Sequence, residues 1–147
     1  MICEEAKKLG IPKWVRPTPF LTTDGIVRIF APEFKGIVLI KRKNPPFGFA
    51  LPGGFVDYGE MVEDALKREM REEIGLEVEI KRLLGVYSNP NRDTRLHTAS
   101  VVFVCDATSF PKAGDDAKEA FVFKLEEIPW DELVFDHKEI LKDFIEA

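Results

Sequence analysis

Glu69, Glu72 and Glu73 fall within five residues of one another in the stretch KREMREEIGL, residues 67–76. Two like charges about 6 Å apart, at an effective dielectric near 20, repel by roughly 3 kcal/mol. Something in the folded chain must offset that repulsion, and the choices are neighbouring arginines, water or a cation. Hard divalent cations such as Mg2+ take carboxylate oxygens, and paired cations clamp the attacking and leaving oxygens of a displacement at phosphorus. A solvated acidic face with Lys67, Arg68 and Arg71 as ion-pair partners is the plainer alternative.

For these acids to share a surface they must lie on a helix. Residues 60–74, EMVEDALKREMREEI, predict one, stopped by Gly75. Val62, Leu66, Met70 and Ile74 recur every four residues and form an apolar stripe for the core. Glu69, Glu72 and Glu73, spaced i, i+3 and i+4, occupy a different face. Strands are expected at 25–30, 36–41, 77–87, 98–106 and 120–124, with a shorter one at 47–51 leading into Pro52-Gly53-Gly54. A second amphipathic helix is expected over 130–146. Strands outnumber helices and the two helices are far apart in sequence, which predicts an α/β fold: a mixed sheet covered by a helix on each side.

The 147 residues suit one domain with one core, and 45% apolar with 32% charged residues is an ordinary globular composition. A net charge of −5 argues against general affinity for nucleic acid, leaving room only for a local basic groove. No apolar run approaches the ~18 residues of a membrane span, and the opening MICEEAKKLG has no apolar h-region of a secretory signal. Cys3 and Cys105 are too few for a zinc cluster or a disulfide framework, and Cys105, in an apolar run, reads as a buried thiol. The expected setting is a reducing cytoplasm, with neither nucleic acid nor membrane as partner.

Counted from Gly54, the sequence reads G-x5-E-x7-R-E-M-R-E-E-I-G-L, with Gly54, Glu60, Arg68, Glu69, Glu72, Glu73, Gly75 and Leu76 at its fixed places. This pattern resembles the signature of the Nudix hydrolases. Met70 stands where Ile, Leu or Val is commoner, at a position that asks only for an apolar side chain. Eight constrained positions over 23 residues are far more specific than a lone glycine motif. The resemblance implies a Nudix-type α/β/α sandwich with a loop–helix–loop catalytic motif, in a single domain over 1–147 with the catalytic box at 54–76. It implies hydrolysis of a nucleoside diphosphate linked to another group, with Mg2+ as cofactor and Mn2+ as a substitute. By the same resemblance Glu69, Glu72 and Glu73 are the metal-binding acids, joined by the Gly53 carbonyl. Glu60 supports the metal shell, and Arg68 orients the acids through ion pairs. Gly53 and Gly54 let the backbone turn tightly beside metal or phosphate. The general base varies among subfamilies: Glu73 is one candidate, and Asp115, Asp116 and Glu119 in AGDDAKEA are the downstream ones.

The stretches KRKNPPFGFALPGGFVDYGE, VYSNPNRDTRLHTASVVFV and GDDAKEAFVFKLEEIP are similar to ADP-ribose pyrophosphatase-type members of that family. Pro90 lies near the subfamily's downstream proline, whereas Thr94 stands where a proline is more usual. The substrate implied is ADP-ribose, cleaved to AMP and ribose 5-phosphate. A nucleoside triphosphate or dinucleoside polyphosphate pyrophosphohydrolase is the alternative, and an ADP-ribose-binding sensor without turnover is a third reading. The third fits poorly with an intact acid set and about 70 residues after the box. Arg92 and Arg95 are candidates to hold a phosphate or terminal ribose, since guanidinium groups fork onto anions; surface solubility is the competing account. Phe49, with Phe20, Phe47 and Tyr87, is a candidate to stack on adenine, against burial in the core. His97, just before a strand, reads as a hydrogen-bonded structural residue. Analogy with related enzymes suggests a homodimer.

Overall fold

β-Branched residues on adjacent strands alternate between two faces, so the same runs that favour strand also sort the core into two halves. The computed structural model describes residues 14–112 and 119–147, with positions 4, 8, 10 and 12 ahead of them. Asp115, Asp116 and Cys3 lie outside the described residues.

Seven strands run in chain order as β1 (Phe20–Phe30), β2 (Phe34–Lys41), β3 (Phe49–Ala50), β4 (Gly53–Phe55), β5 (Glu79–Tyr87), β6 (Thr98–Ala107) and β7 (Glu119–Phe123). Helix α1 (Val62–Ile74) follows β4, and helix α2 (His137–Glu146) follows β7. The sheet order is β3-β2-β1-β6-β5, with β4 paired to β1 and β7 to β2. Among the strand pairings of the described residues, β1 with β6 is parallel and the others are antiparallel, which makes the sheet mixed as expected. Strand β6 takes one edge of β1 along residues 20–29. On the other edge β2 meets β1 at residues 28–30 and β4 meets it at 22–24. The divergence of β2 from β1 is thus the opening that receives the Gly53-Gly54 segment.

On one face Val27, Ile29, Val38, Ile40, Phe103 and Cys105 pack against Leu66, Met70 and Ile74 of α1, with Val62 partly buried beside them. This is the apolar stripe read from the sequence, and each such large side chain contributes about 1.5–3 kcal/mol on burial. Ile26, Ile37, Leu39 and Val102 point the other way and pack against Ile140 and Leu141 of α2. Gly75 ends α1 in the left-handed region (φ 65°), its N–H bonded to the Arg71 carbonyl at 3.2 Å. Burial pushes the Cys105 thiol up to about 12, the inert thiol expected of an apolar run. Among the described residues no helix is long and apolar enough to cross a membrane.

Two local expectations are corrected. Residues 130–146 do not form one helix: Trp130–Glu132 is a short 3-10 turn and α2 begins only at His137. The break has a cause in the sheet, because the Val134 N–H bonds the Phe49 carbonyl at 3.0 Å and Phe135 sits at φ 56°. A non-glycine residue held there costs about 1–3 kcal/mol, repaid only by its surroundings. Strand β1 also starts five residues before the expected Gly25. Its first half, Phe20 to Asp24, lacks apolar alternation and is held by neighbours on both edges.

Candidate active site

Gly53 and Gly54 on β4 pair with Asp24 and Thr23 of β1, directly beneath the acidic face of α1. A Cβ on Gly54 would stand 2.5–2.7 Å from the Glu69 carboxylate, so this main chain lies against the acid at a separation only a hydrogen allows. Arg68 gathers the other charges. Its Nε and Nη2 donate to the two Glu60 oxygens at 2.8 and 2.9 Å, and its Nη1 donates to Glu69 at 2.8 Å and Glu72 at 3.2 Å. Nη2 also reaches the Phe55 carbonyl at 3.1 Å, tying the helix to the end of β4. Hydrogen bonds from Arg68, and then from the Asp57 amide, hold the Glu60 carboxyl at about 2, well below the usual carboxylate range. Glu69 is half-buried, Glu72 exposed and Glu73 buried at 6% exposure.

Among the described residues, no group of three acidic, His or Cys side chains stands close enough to enclose an ion as placed, since the acids gather on Arg68. The donor set still suits a hard divalent cation: three carboxylates on one turn of helix beside a carbonyl-bearing glycine pair, all oxygen. The close approach of Gly54 to the Glu69 carboxylate, which a single methyl group would block, fits the same reading.

A pocket of about 500 Å³ opens beside the acids and is lined by Glu69 and Glu73 together with Arg42, Arg95 and Phe135. The guanidinium carbons of Arg42 and Arg95 stand 5.0 and 5.3 Å from the Phe135 ring centre. Arg95 forks onto Asp93 at 3.0 and 2.8 Å, whereas Arg42 is held by the neutral carbonyls of Pro46 and Pro45 at 2.9 and 3.3 Å. Burial, and then the nearby Arg95 charge, lower the Arg42 pKa. The pocket lining therefore carries both carboxylates and guanidinium groups.

Not every residue named from the sequence meets this pocket as a free contact. Arg92 lines it, but its Nε and Nη2 donate to Asp136 at 2.9 and 2.7 Å and its Nη1 to Thr98 at 2.6 Å, in a side chain only 4% exposed. Phe49 packs edge-on against Phe121 and Phe123, in the α2 half of the core. Phe20 stacks edge-on with Phe55, and the Tyr87 hydroxyl donates to Asp143 at 2.7 Å. His97 has its Nε2 3.0 Å from the Ser88 carbonyl, a structural bond of the kind expected. Glu119 is exposed on β7, in register with Lys41.

Sequence reading missed Arg42, Phe135, Asp24 and His137. Arg42 carries a weak signal, a cation at the end of an apolar strand. The others carry none, because what joins them is tertiary. Asp24 accepts the Ser100 hydroxyl, and burial raises its carboxyl to about 6. His137 accepts the Leu51 N–H on Nδ1 at 2.9 Å. Burial, and then the charges of Arg92 and Arg42, press its pKa down to about 3.

The NUDIX domain family model matches residues 19–144. An ADP-ribose pyrophosphatase from Methanocaldococcus jannaschii is 52% identical over 130 residues, which are 86% of this chain and 73% of that protein. A bifunctional NMN adenylyltransferase/ADP ribose pyrophosphatase from Francisella tularensis, solved with AMP and a Mn ion, superposes with a TM-score of 0.76 at 28% identity. That match covers 97% of this chain, which spans only 45% of the bifunctional protein. A MutT/nudix family protein from Enterococcus faecalis gives a TM-score of 0.73 at 30% identity, over 95% of this chain and 66% of that one. The pocket walled by α1 and the glycine pair thus sits on a known scaffold: the chain belongs to the Nudix family.

Proposed function

We propose that this chain hydrolyses ADP-ribose to AMP and ribose 5-phosphate, using Mg2+ with Mn2+ as a substitute. One observation carries the reading: the same pocket is lined by Glu69 and Glu73 of α1 and by Arg42 and Arg95. A dianionic pyrophosphate set between two sugars needs both, since a cation held by acids neutralises the phosphates and guanidinium groups fork onto what remains. The relative from Methanocaldococcus jannaschii, by its name, acts on the same compound.

Glu69, Glu72 and Glu73, with the Gly53 carbonyl, would hold the cation. When bound, the cation supplies charge neutralisation at the phosphoryl oxygens and makes a neighbouring water more acidic. Arg68 ties Glu69 to Glu72, and Glu60 fixes Arg68 in turn. Glu73, buried at the pocket wall, is the base we favour to take the proton from the attacking water; Asp115, Asp116 and Glu119 are the downstream alternatives. Arg95 and Arg42 grip the substrate's phosphate or terminal ribose, and the Phe135 ring keeps the two guanidinium groups together. In the overall step, water oxygen bonds one phosphorus, the bridging oxygen leaves with the other, and AMP and ribose 5-phosphate separate.

The test is phosphorus NMR of ADP-ribose turned over with Mg2+ in water enriched in oxygen-18. AMP and ribose 5-phosphate should appear, and the product carrying the label shows which phosphorus was attacked. Unchanged ADP-ribose, from protein that consumes a nucleoside triphosphate or a diadenosine compound, would replace the substrate and leave the chemistry. Binding of ADP-ribose with no turnover of any of the three would make the chain a sensor.

A further inference from the structure

The loop that carries Gly53 and Gly54 is held from behind by a residue far away in sequence. His137, the first residue of α2, is 3% exposed, and its Nδ1 accepts the Leu51 main-chain N–H at 2.9 Å across 86 positions. Leu51 is itself 2% exposed and stands two residues before Gly53. An amide buried at such a depth has no water to turn to for a replacement acceptor. Because Nδ1 accepts, the proton of the neutral ring sits on Nε2. Nε2 stands 4.0 Å from the Asp24 carboxylate, which takes the Ser100 hydroxyl and whose residue is the register partner of Gly53. The loop is therefore pinned on both sides of Pro52: Leu51 by the imidazole, and Gly53 by its pairing to the Asp24 strand.

We infer that His137 is a positioning residue for the reaction: as the Nε2–H tautomer it fixes the Leu51 main chain, and through it the stance of Gly53 and Gly54 against Glu69. This rests on the reading of that glycine pair as part of the pyrophosphatase site. His137 also lines the pocket, but its hold on the glycine pair runs through the Leu51 main chain and the two peptide units that follow. An error of about 1 Å in such a loop costs up to roughly 100-fold in rate.

The experiment compares wild type with His137→Leu, which fills similar space without an acceptor, and His137→Asn, whose Oδ1 falls near the place of Nδ1. In metal-free, 15N-labelled protein the wild-type ring should show one Nε2–H tautomer. The Leu51 amide should exchange slowly in wild type and H137N and fast in H137L, with neighbouring sheet amides unchanged. With saturating Mg2+ and ADP-ribose, H137L should lose roughly 10- to 100-fold in kcat with little change in KM, and H137N should recover most of it. A folded H137L with wild-type kcat, or an H137N as slow as H137L, overturns the inference. If H137L does not fold, H137N decides: a protected Leu51 amide with near-wild-type kcat upholds it, and a freely exchanging amide with near-wild-type kcat overturns it. Wild type inactive on ADP-ribose would instead sink the proposed reaction, and the exchange pattern would still judge the hold of His137 on Leu51.

Discussion

Two polar networks flank the pocket on opposite terms. One gathers Glu60, Glu69 and Glu72 around Arg68, which water reaches in part: the Arg68 side chain is 24% exposed and that of Glu72 53%. The other ties Arg92 to Asp136 and Thr98, and the adjacent His137 to Leu51, in the buried part of the pocket lining, with Arg92 and His137 side chains at 4% and 3%. Exposed ion pairs contribute about 0–1 kcal/mol each, because water offers an equivalent partner. For the same reason they can exchange partners when a cation or phosphate arrives. Buried pairs have no such substitute, and each donor must keep its acceptor. The first network is suited to binding and release, the second to holding a shape.

The largest effect should follow from breaking the hidden network. Asp136→Ala leaves the Arg92 guanidinium buried without its fork, which should cost about 3–5 kcal/mol of stability. Urea unfolding reads this directly, and a loss below about 1 kcal/mol would place Arg92 in the exchangeable class.

Acid should expose the same network by another route. The folded pKa of His137 lies at about 3, below its ordinary 6.5, so the unfolded chain takes up a proton that the folded one refuses. Its contribution is complete above 6.5 and falls as the pH drops toward 3. Between pH 6.5 and about 5 that amounts to roughly 2 kcal/mol. Asp24, raised to about 6, runs the other way, gaining as the pH falls, but it is common to wild type and H137N. The stability difference between those two proteins should therefore narrow by that amount on acidification. A difference independent of pH would mean the imidazole titrates normally when folded.

The same contrast explains what could be read from sequence. The more exposed network lies within residues 60–72, on α1 and the turn before it: spacing put Glu69, Glu72 and Glu73 on one face, and the family resemblance supplied the parts of Arg68 and Glu60. The apolar stripe of α1 was legible for the same reason. The hidden network is built from residues 24, 51, 92, 98, 100, 136 and 137, whose proximity exists only once β1, β6 and α2 have packed. Asp136 and His137 looked like the interior of one amphipathic helix because Val134 and Phe135 gave no sign that sheet contacts would break it. Arg92 was a charged residue in a polar loop, and nothing local marked it as buried.

Arg68→Ala should give the mirror image of Asp136→Ala. Stability should change by less than about 1 kcal/mol, since Arg68 is partly exposed and its acids can turn to water. The Mg2+ concentration for half-maximal activity should rise by roughly 10- to 100-fold, the usual cost of losing a group that orients metal ligands. Titration of kcat against Mg2+ separates the two, and an unchanged midpoint would remove Arg68 from the cation's surroundings.

The finest test uses adjacent glycines. A methyl group on Gly53 would collide with the Thr23 carbonyl and the Asp24 carboxylate, so main chain must move and Gly53→Ala should lose about 1–3 kcal/mol. On Gly54 the atoms nearest the methyl are those of the Glu69 carboxylate, the far end of a flexible side chain, and that end can swing away. Gly54→Ala should therefore unfold within about 1 kcal/mol of wild type yet lose about tenfold in kcat. Should Gly54→Ala keep full activity, the close approach of Glu69 to β4 would be packing alone. Should it lose stability as Gly53→Ala does, the Glu69 carboxylate would prove as immovable as the buried network, and the division between exchangeable and fixed charges would have to be redrawn through Glu69.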